Sequence, residues 1–154
     1  MRAIDRMPSN SGPRWRVAIL EGDAASRAAL RTAIEAAGGT VAIEAPVRLD
    51  ALPLMRQTRP DVLILAPSLS GRREPALMPR IAAAVDCPAV LFTRDTEAAV
   101  VKQANRARVM AFMLKPLRPA ELAPTLDLAL ARFREVRRLE LRALECLPGR
   151  SPRQ

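Results

Sequence analysis

Four short apolar runs in this chain each end on residues that could do polar chemistry. Val17-Ala18-Ile19-Leu20 leads into Glu21-Gly22-Asp23, Val62-Leu63-Ile64-Leu65 into Ala66-Pro67-Ser68, Ala89-Val90-Leu91-Phe92 into Thr93-Arg94, and the run Val109 to Leu114 into Lys115-Pro116. Two carboxylates, a hydroxyl and a lysine can surround a small ion, or they can neutralise one another as an ion pair. The ion pair Lys115 with Glu21 and Asp23 is the simpler expectation. Composition removes most other chemistry. With no histidine in the chain, a Ser-His-Asp or Cys-His nucleophile pair and a His-ligated zinc are both ruled out. Cys87 and Cys146 are far apart, and two isolated thiols in a reducing compartment stay free, so both read as packing residues. A phosphate-binding loop needs several glycines, whereas Glu21-Gly22-Asp23 offers one. The chain is therefore not read as an enzyme, and no cofactor or metal is expected.

The runs that carry these residues are strand-length, and several lack the alternation of a half-exposed strand, as expected for strands covered on both faces. Val41-Ala42-Ile43 is a fifth. Between the first two runs lies Ala24 to Ala37, with Ala28, Leu30, Ile34 and Ala37 near helical spacing and Gly38-Gly39 as the stop. Leu49 to Thr58, Glu74 to Val85 and Asp95 to Ala107 are further helical stretches, the first two shortened or made irregular by Pro53 and Pro79. Alternating strands and helices predict an α/β fold with a five-stranded, doubly wound parallel sheet, because parallel neighbours need crossover connections. In such sheets the functional crevice lies at the carboxyl ends of the strands, which is where the polar residues stand.

The last element is longer than the others. From Pro119 to about Cys146, Leu122, Leu126, Leu130, Phe133, Val136, Leu139 and Leu144 recur every three to five residues, with arginines and glutamates between. This predicts an amphipathic helix of roughly 26 residues, ~39 Å long, too long for the sheet to cover. Its second half is expected to project and to pair with a second copy as a coiled coil. The resulting division is a disordered arm over 1–15, a compact domain over 16–131, a projecting half-helix over 132–147 and a loose tail over 148–154.

The 154 residues carry a net charge of +9, and only Lys102 and Lys115 among the 25 basic residues are lysine. Nucleic acid, an acidic partner or an anionic membrane could each attract such a chain. The arginines are scattered, however, and with one Trp, three Phe and no Tyr there is little to stack on bases. Nucleic-acid binding by Arg132, Arg134, Arg137, Arg138 and Arg142 is thus the second reading, since Glu135, Glu140 and Glu145 alternate with them as on a solvated coiled-coil flank. The longest apolar run, Val109 to Leu114, falls far short of the ~20 residues that span a bilayer, and no apolar stretch follows the arginines of the first 16 residues. A cytoplasmic address without membrane attachment is expected.

From Arg16 to Arg132 the chain resembles the receiver domain of bacterial two-component response regulators. The resemblance rests on Val17-Ala18-Ile19-Leu20-Glu21-Gly22-Asp23, on Arg59-Pro60-Asp61-Val62-Leu63-Ile64-Leu65 and on Leu114-Lys115-Pro116-Leu117 in that order. It implies that a carboxylate after the third strand would accept phosphate, and that position is Ala66. It implies a metal held by paired acids after the first strand, and the second of these is Gly22. Thr93, Lys115 and the switch-aromatic position Phe112 match. The implied protein is a pseudo-receiver that has lost its phosphoacceptor, with Glu21, Asp23, Thr93 and Lys115 as a vestigial pocket.

A narrower resemblance, carried by Val109 to Pro119 and by Leu126 through Ala131-Arg132-Phe133, is to ANTAR antitermination regulators of the amidase and nitrate type. It implies a connecting helix that dimerises, and control through a ligand-sensing partner or a histidine kinase. Leu147-Pro148-Gly149 stops the helix where that family's RNA-binding module would begin, so the effector is expected to be missing. Dimerisation or docking is assigned to Lys102, Arg106, Arg108, Met110, Leu117, Arg118, Leu126, Leu130, Phe133 and Val136.

Overall fold

The computed structural model describes residues 12–66, 77–94 and 109–147. Five strands, β1 (Arg16–Glu21), β2 (Thr40–Ala45), β3 (Val62–Ala66), β4 (Ala89–Thr93) and β5 (Val109–Leu114), form one sheet in the order β2-β1-β3-β4-β5 with every pair parallel. Each apolar run expected to be a strand is one. β1, β3 and β4 are buried almost end to end, as strands with helices over both faces must be. Val17 and Ile19 point to one side of the sheet and Ala18 and Leu20 to the other, so the core has two halves. The first half is closed by Leu30 and Ile34 of α1 (Ala24–Ala36) and by Leu122, Leu126 and Ala129 of α4 (Pro119–Glu145). The second is closed by Met55 of α2 (Leu52–Thr58) and Ile81 of α3 (Leu77–Ala84). The expected doubly wound architecture is what the chain adopts.

Local chemistry accounts for the element ends. Asp23 caps α1, its carboxylate accepting the Ser26 amide at 2.9 Å, and Gly38 at φ +90° turns the chain out after Ala37. Gly39 then passes so close to the core that a Cβ there would stand 2.9 Å from both Ile34 Cγ2 and Trp15 Cε3. Pro53 sits in the first turn of α2, where it forfeits no ladder bond, behind a one-turn 3-10 helix at Leu49–Ala51. The helical stretch expected over Asp95 to Ala107 lies outside the described residues, as do Ser68, Lys102, Arg106 and Arg108.

Three expectations need correction. The expected arm reaches too far, because Trp15 is 2% exposed within the first core half. Arg14 N–H donates to Gly38 O at 2.8 Å, and Asp127 on α4 accepts both the Trp15 indole (3.1 Å) and the Arg14 guanidinium (2.5 Å). A large ring next to β1 gains more from burial than the polar Pro8–Pro13 stretch before it could suggest. Leu126, assigned to a docking face, is fully buried in this chain's own core, since it shares the sheet-facing side of α4 with Leu122 and Ala129. The helix also leaves the body later than residue 132. Arg132 donates to Met110 O at 2.9 Å, and Arg137 forms an ion pair with Asp86 ahead of β4. Beyond Arg137 the leucines are exposed, Leu139, Leu141 and Leu144 on α4 and Leu147 just after it.

Candidate functional site

Parallel register sets Glu21, the last residue of β1, beside Ala66, the last of β3. Ala66 is buried and carries no oxygen. One strand further, Thr93 ends β4 as a buried residue, and its carbonyl accepts the Lys115 amide at 3.0 Å. This brings Lys115 to the carboxyl edge of the sheet, where its peptide bond to Pro116 is cis. The topology therefore gathers Glu21, Ala66, Thr93 and Lys115 in one crevice, as their strand-end positions predict.

Within it Glu21 is the pivot. Its side chain is 5% exposed. Oε1 accepts the Asp23 amide at 3.0 Å, and Lys115 Nζ lies 2.8 Å from Oε2. No well-aligned hydrogen bond reaches Oε2, so the second contact is a charge pair whose strength comes from proximity and burial, not from direction. Lys115 also rests over the Phe92 ring, 5.2 Å from its centroid, which screens the ammonium from water on that side. The expected ion pair thus forms with Glu21. Asp23 is diverted to cap α1, and its carboxyl is held below the usual carboxylate range first by the Ser26 amide and then by the nearby Lys115 and Arg27 charges. Arg27, which sequence reading missed, closes the loop from outside, donating to the carbonyls of Glu21 (2.6 Å) and Gly22 (3.2 Å). It lies one turn past the Asp23 cap, and that spacing was the available signal.

The site does not fit a divalent cation. A hard cation takes about six oxygens in a near-octahedral array, and here Glu21 is committed on both oxygens, Asp23 is at a helix cap and position 66 is apolar. Among the described residues no group of three or more Asp, Glu, Cys or His is arranged to hold a metal.

The other assigned residues are spread out. Phe112 is exposed on β5, on the side opposite the buried Ala111 and Met113. Met110 and Leu117 are half-buried against the first core half. Arg118 is exposed beside Glu121. Leu130 is partly buried on the core, and Phe133 and Val136 are half-buried where α4 leaves the body. Cys87 is buried and its thiol is pushed up to about 12 by loss of solvent, whereas Cys146 is exposed. The packing reading therefore holds for Cys87 and fails for Cys146, which lies beyond the covered part of α4. No helix among the described residues is long and apolar enough to cross a membrane.

Comparison with known proteins agrees with this geometry. The chain is 30% identical over 125 residues to the transcriptional regulatory protein PdtaR of Mycobacterium tuberculosis, an alignment covering 81% of this chain and 61% of that protein. The chain thus spans less than two thirds of that relative. The signal receiver domain of a modulated diguanylate cyclase from Desulfovibrio desulfuricans superposes with a TM-score of 0.68 at 21% identity, over 78% of this chain and 96% of that one. The receiver domain of the response regulator NarL from Mycobacterium tuberculosis does so at 0.64 and 23%, over 76% and 97%. Residues 17–127 match the family described as the response regulator receiver domain, and with the sheet order and the strand-end site in agreement, the chain belongs to that family.

Proposed function

We propose that this chain is a phosphorylation-independent receiver that works in transcriptional control by protein contact and self-association. One observation carries the reading: at the end of β3, where a receiver would need a carboxylate, stands the buried Ala66, and Lys115 is already neutralised by Glu21 at 2.8 Å. Alanine has no oxygen on which an acyl phosphate could form. The lysine that would meet an incoming phosphoryl group is committed within the fold, so the crevice behaves as a fixed strut.

Contact then replaces chemistry. The docking surface is Met110, Leu117 and Arg118 with the part of α4 from Leu130 to Val136 and the exposed leucines beyond it. The partner is a second copy, with a ligand-sensing protein or a histidine kinase as the source of the signal. The similarity to a transcriptional regulator, together with the resemblance to ANTAR antiterminators, supports gene regulation of the antitermination type. Direct binding of nucleic acid is the weaker reading, because Arg132, Arg137 and Arg138 already serve Met110 O, Asp86 and Glu135.

Incubation with acetyl phosphate and magnesium tests the first half. The intact mass stays unchanged on this reading, and an acid-labile phosphate adduct overturns it. Light scattering tests the second half: a dimer is expected, weakened by Phe133→Glu or Val136→Glu, and a monomer at high concentration contradicts it.

A further inference from the structure

Ala129 is the last side chain of α4 that is fully buried. Past Leu130, which still packs on the core, the hydrogen bond and the ion pair that tie the helix to the body among the described residues both come from arginines. Arg132 donates to Met110 O at 2.9 Å, and Met110 lies on β5, an edge strand whose outer backbone groups have no strand beside them. Arg137 pairs with Asp86 in the turn ahead of β4, and its guanidinium lies 5.3 Å from the centroid of the Phe133 ring. The two arginines thus grip the amino ends of the two strands whose carboxyl ends lead to Thr93 and Lys115. Both contacts are open to water. Arg132 is exposed, and the side chains of Arg137 and Asp86 are 39% and 57% exposed.

Two such contacts decide much because of leverage. Cys146 stands about 25 Å past Ala129 at ~1.5 Å per residue, so a change of ~20° in exit direction, the size of an ordinary helix kink, moves it by roughly 9 Å. An exposed ion pair contributes little to global stability and is screened by salt. Breaking it therefore changes where the helix points without opening the core, which Leu122, Leu126 and Ala129 keep closed. We propose that Arg132 and Arg137 form a clasp that sets the direction in which the far end of α4 leaves the body, and that charge competition releases it with the fold intact. This deepens the contact reading above, in which the far end of α4 is what a partner meets. With the clasp closed, the exposed Leu139, Leu141 and Leu144 are presented at one angle. A partner that meets a helix already aimed loses less entropy on binding than one that must align it.

Pulsed dipolar spectroscopy between nitroxides on Cys146 and on the thiol of an Ala29→Cys variant, at an exposed position of α1, reads that angle. Cys87 is buried with its thiol pushed up to about 12 and stays unlabelled. Dilution with excess unlabelled chain leaves only the distance within one chain. A single narrow distance is expected in low salt. Asp86→Ala combined with Arg132→Ala is expected to spread it by roughly 9 Å, with melting temperature and helical circular dichroism close to the parent chain. Salt at about 1 M, where screening acts within ~3 Å, is expected to spread it in the parent chain as well. Reversing the pair, Asp86→Arg with Arg137→Asp, is expected to restore the narrow distance, which a loss of packing alone would not allow. A width that stays the same in the double variant or between low and high salt overturns the clasp, and so does a reversed pair as broad as Asp86→Ala. Should the double variant unfold, the salt series on the parent chain decides. Because the distance lies within one chain, it judges the clasp whether light scattering finds a dimer or a monomer, and a monomer overturns self-association alone.

Discussion

Both carboxylate oxygens of Glu21 are engaged, one by a backbone amide and one by the Lys115 ammonium, and the two side chains are only 5% and 16% exposed. Removing one member of such a pair leaves the other charge buried alone. Lys115→Met is therefore expected to destabilise the fold by about 3 kcal/mol, and the double change Glu21→Gln with Lys115→Met to recover most of it, because the pair itself offsets its own desolvation. Urea unfolding checks this, and a double variant as unstable as the single one contradicts it. Asp23 gives a pH signature. Its folded carboxyl titrates below the ordinary value of 3.8, so its contribution is fully present above the unfolded value and is lost as pH falls through the folded one. The stability gap between the wild type and Asp23→Ala should be constant well above the ordinary carboxylate value of 3.8 and close as pH falls below it. A gap that persists unchanged into acid contradicts the charged cap. The Glu21–Lys115 pair was legible in the sequence, because the carboxyl ends of parallel strands share one edge of the sheet and a lysine is long enough to reach across the ends of β3 and β4, which stand between β5 and β1. The diversion of Asp23 was not, since a carboxylate three residues before a helix amide can serve the crevice or the cap, and only the backbone at Ser26 decides.

Among the elements, α4 gains most from its anchors. Asp127 takes the Arg14 guanidinium and the Trp15 indole together, and the Arg14 guanidinium also stacks on the Trp15 ring at 4.4 Å. This ties the entry to β1 to the outer side of the helix. Asp127→Ala is expected to cost about 1 kcal/mol for the hydrogen bond lost by a largely buried indole. Since Trp15 is the chain's one tryptophan, the change should show as altered emission before global unfolding. An emission spectrum and melting temperature identical to wild type contradict the anchor. The thiols report on the same element. Iodoacetamide at neutral pH should modify Cys146 and spare Cys87 until the fold opens, and equal rates contradict the burial that raises the Cys87 thiol. Strand positions and the length of α4 followed from apolar runs and helical spacing. The point where α4 leaves the body did not, because the same 3-4 spacing continues through Ala129, buried in the core, to Leu144, exposed beyond it. The contacts that extend the covered part, Arg132 to Met110 O and Arg137 to Asp86, join residues distant in sequence.

At the scale of the whole molecule, a receiver fold carries a lysine and a threonine at its strand ends and a buried alanine at the end of β3, and the proposed function takes that alanine as the absence of a phosphoryl acceptor. Sheet order and fold class could be read from alternation and from the three quoted motifs, since a parallel sheet constrains connections tightly. The account then depends on the crevice being closed to phosphoryl groups and cations alike. Amide chemical shifts of the full chain, recorded during titration with magnesium and the phosphoryl mimic beryllofluoride, test this most directly. The account predicts that Glu21, Thr93 and Lys115 keep their positions throughout. Saturable shifts centred on those strand ends would contradict it.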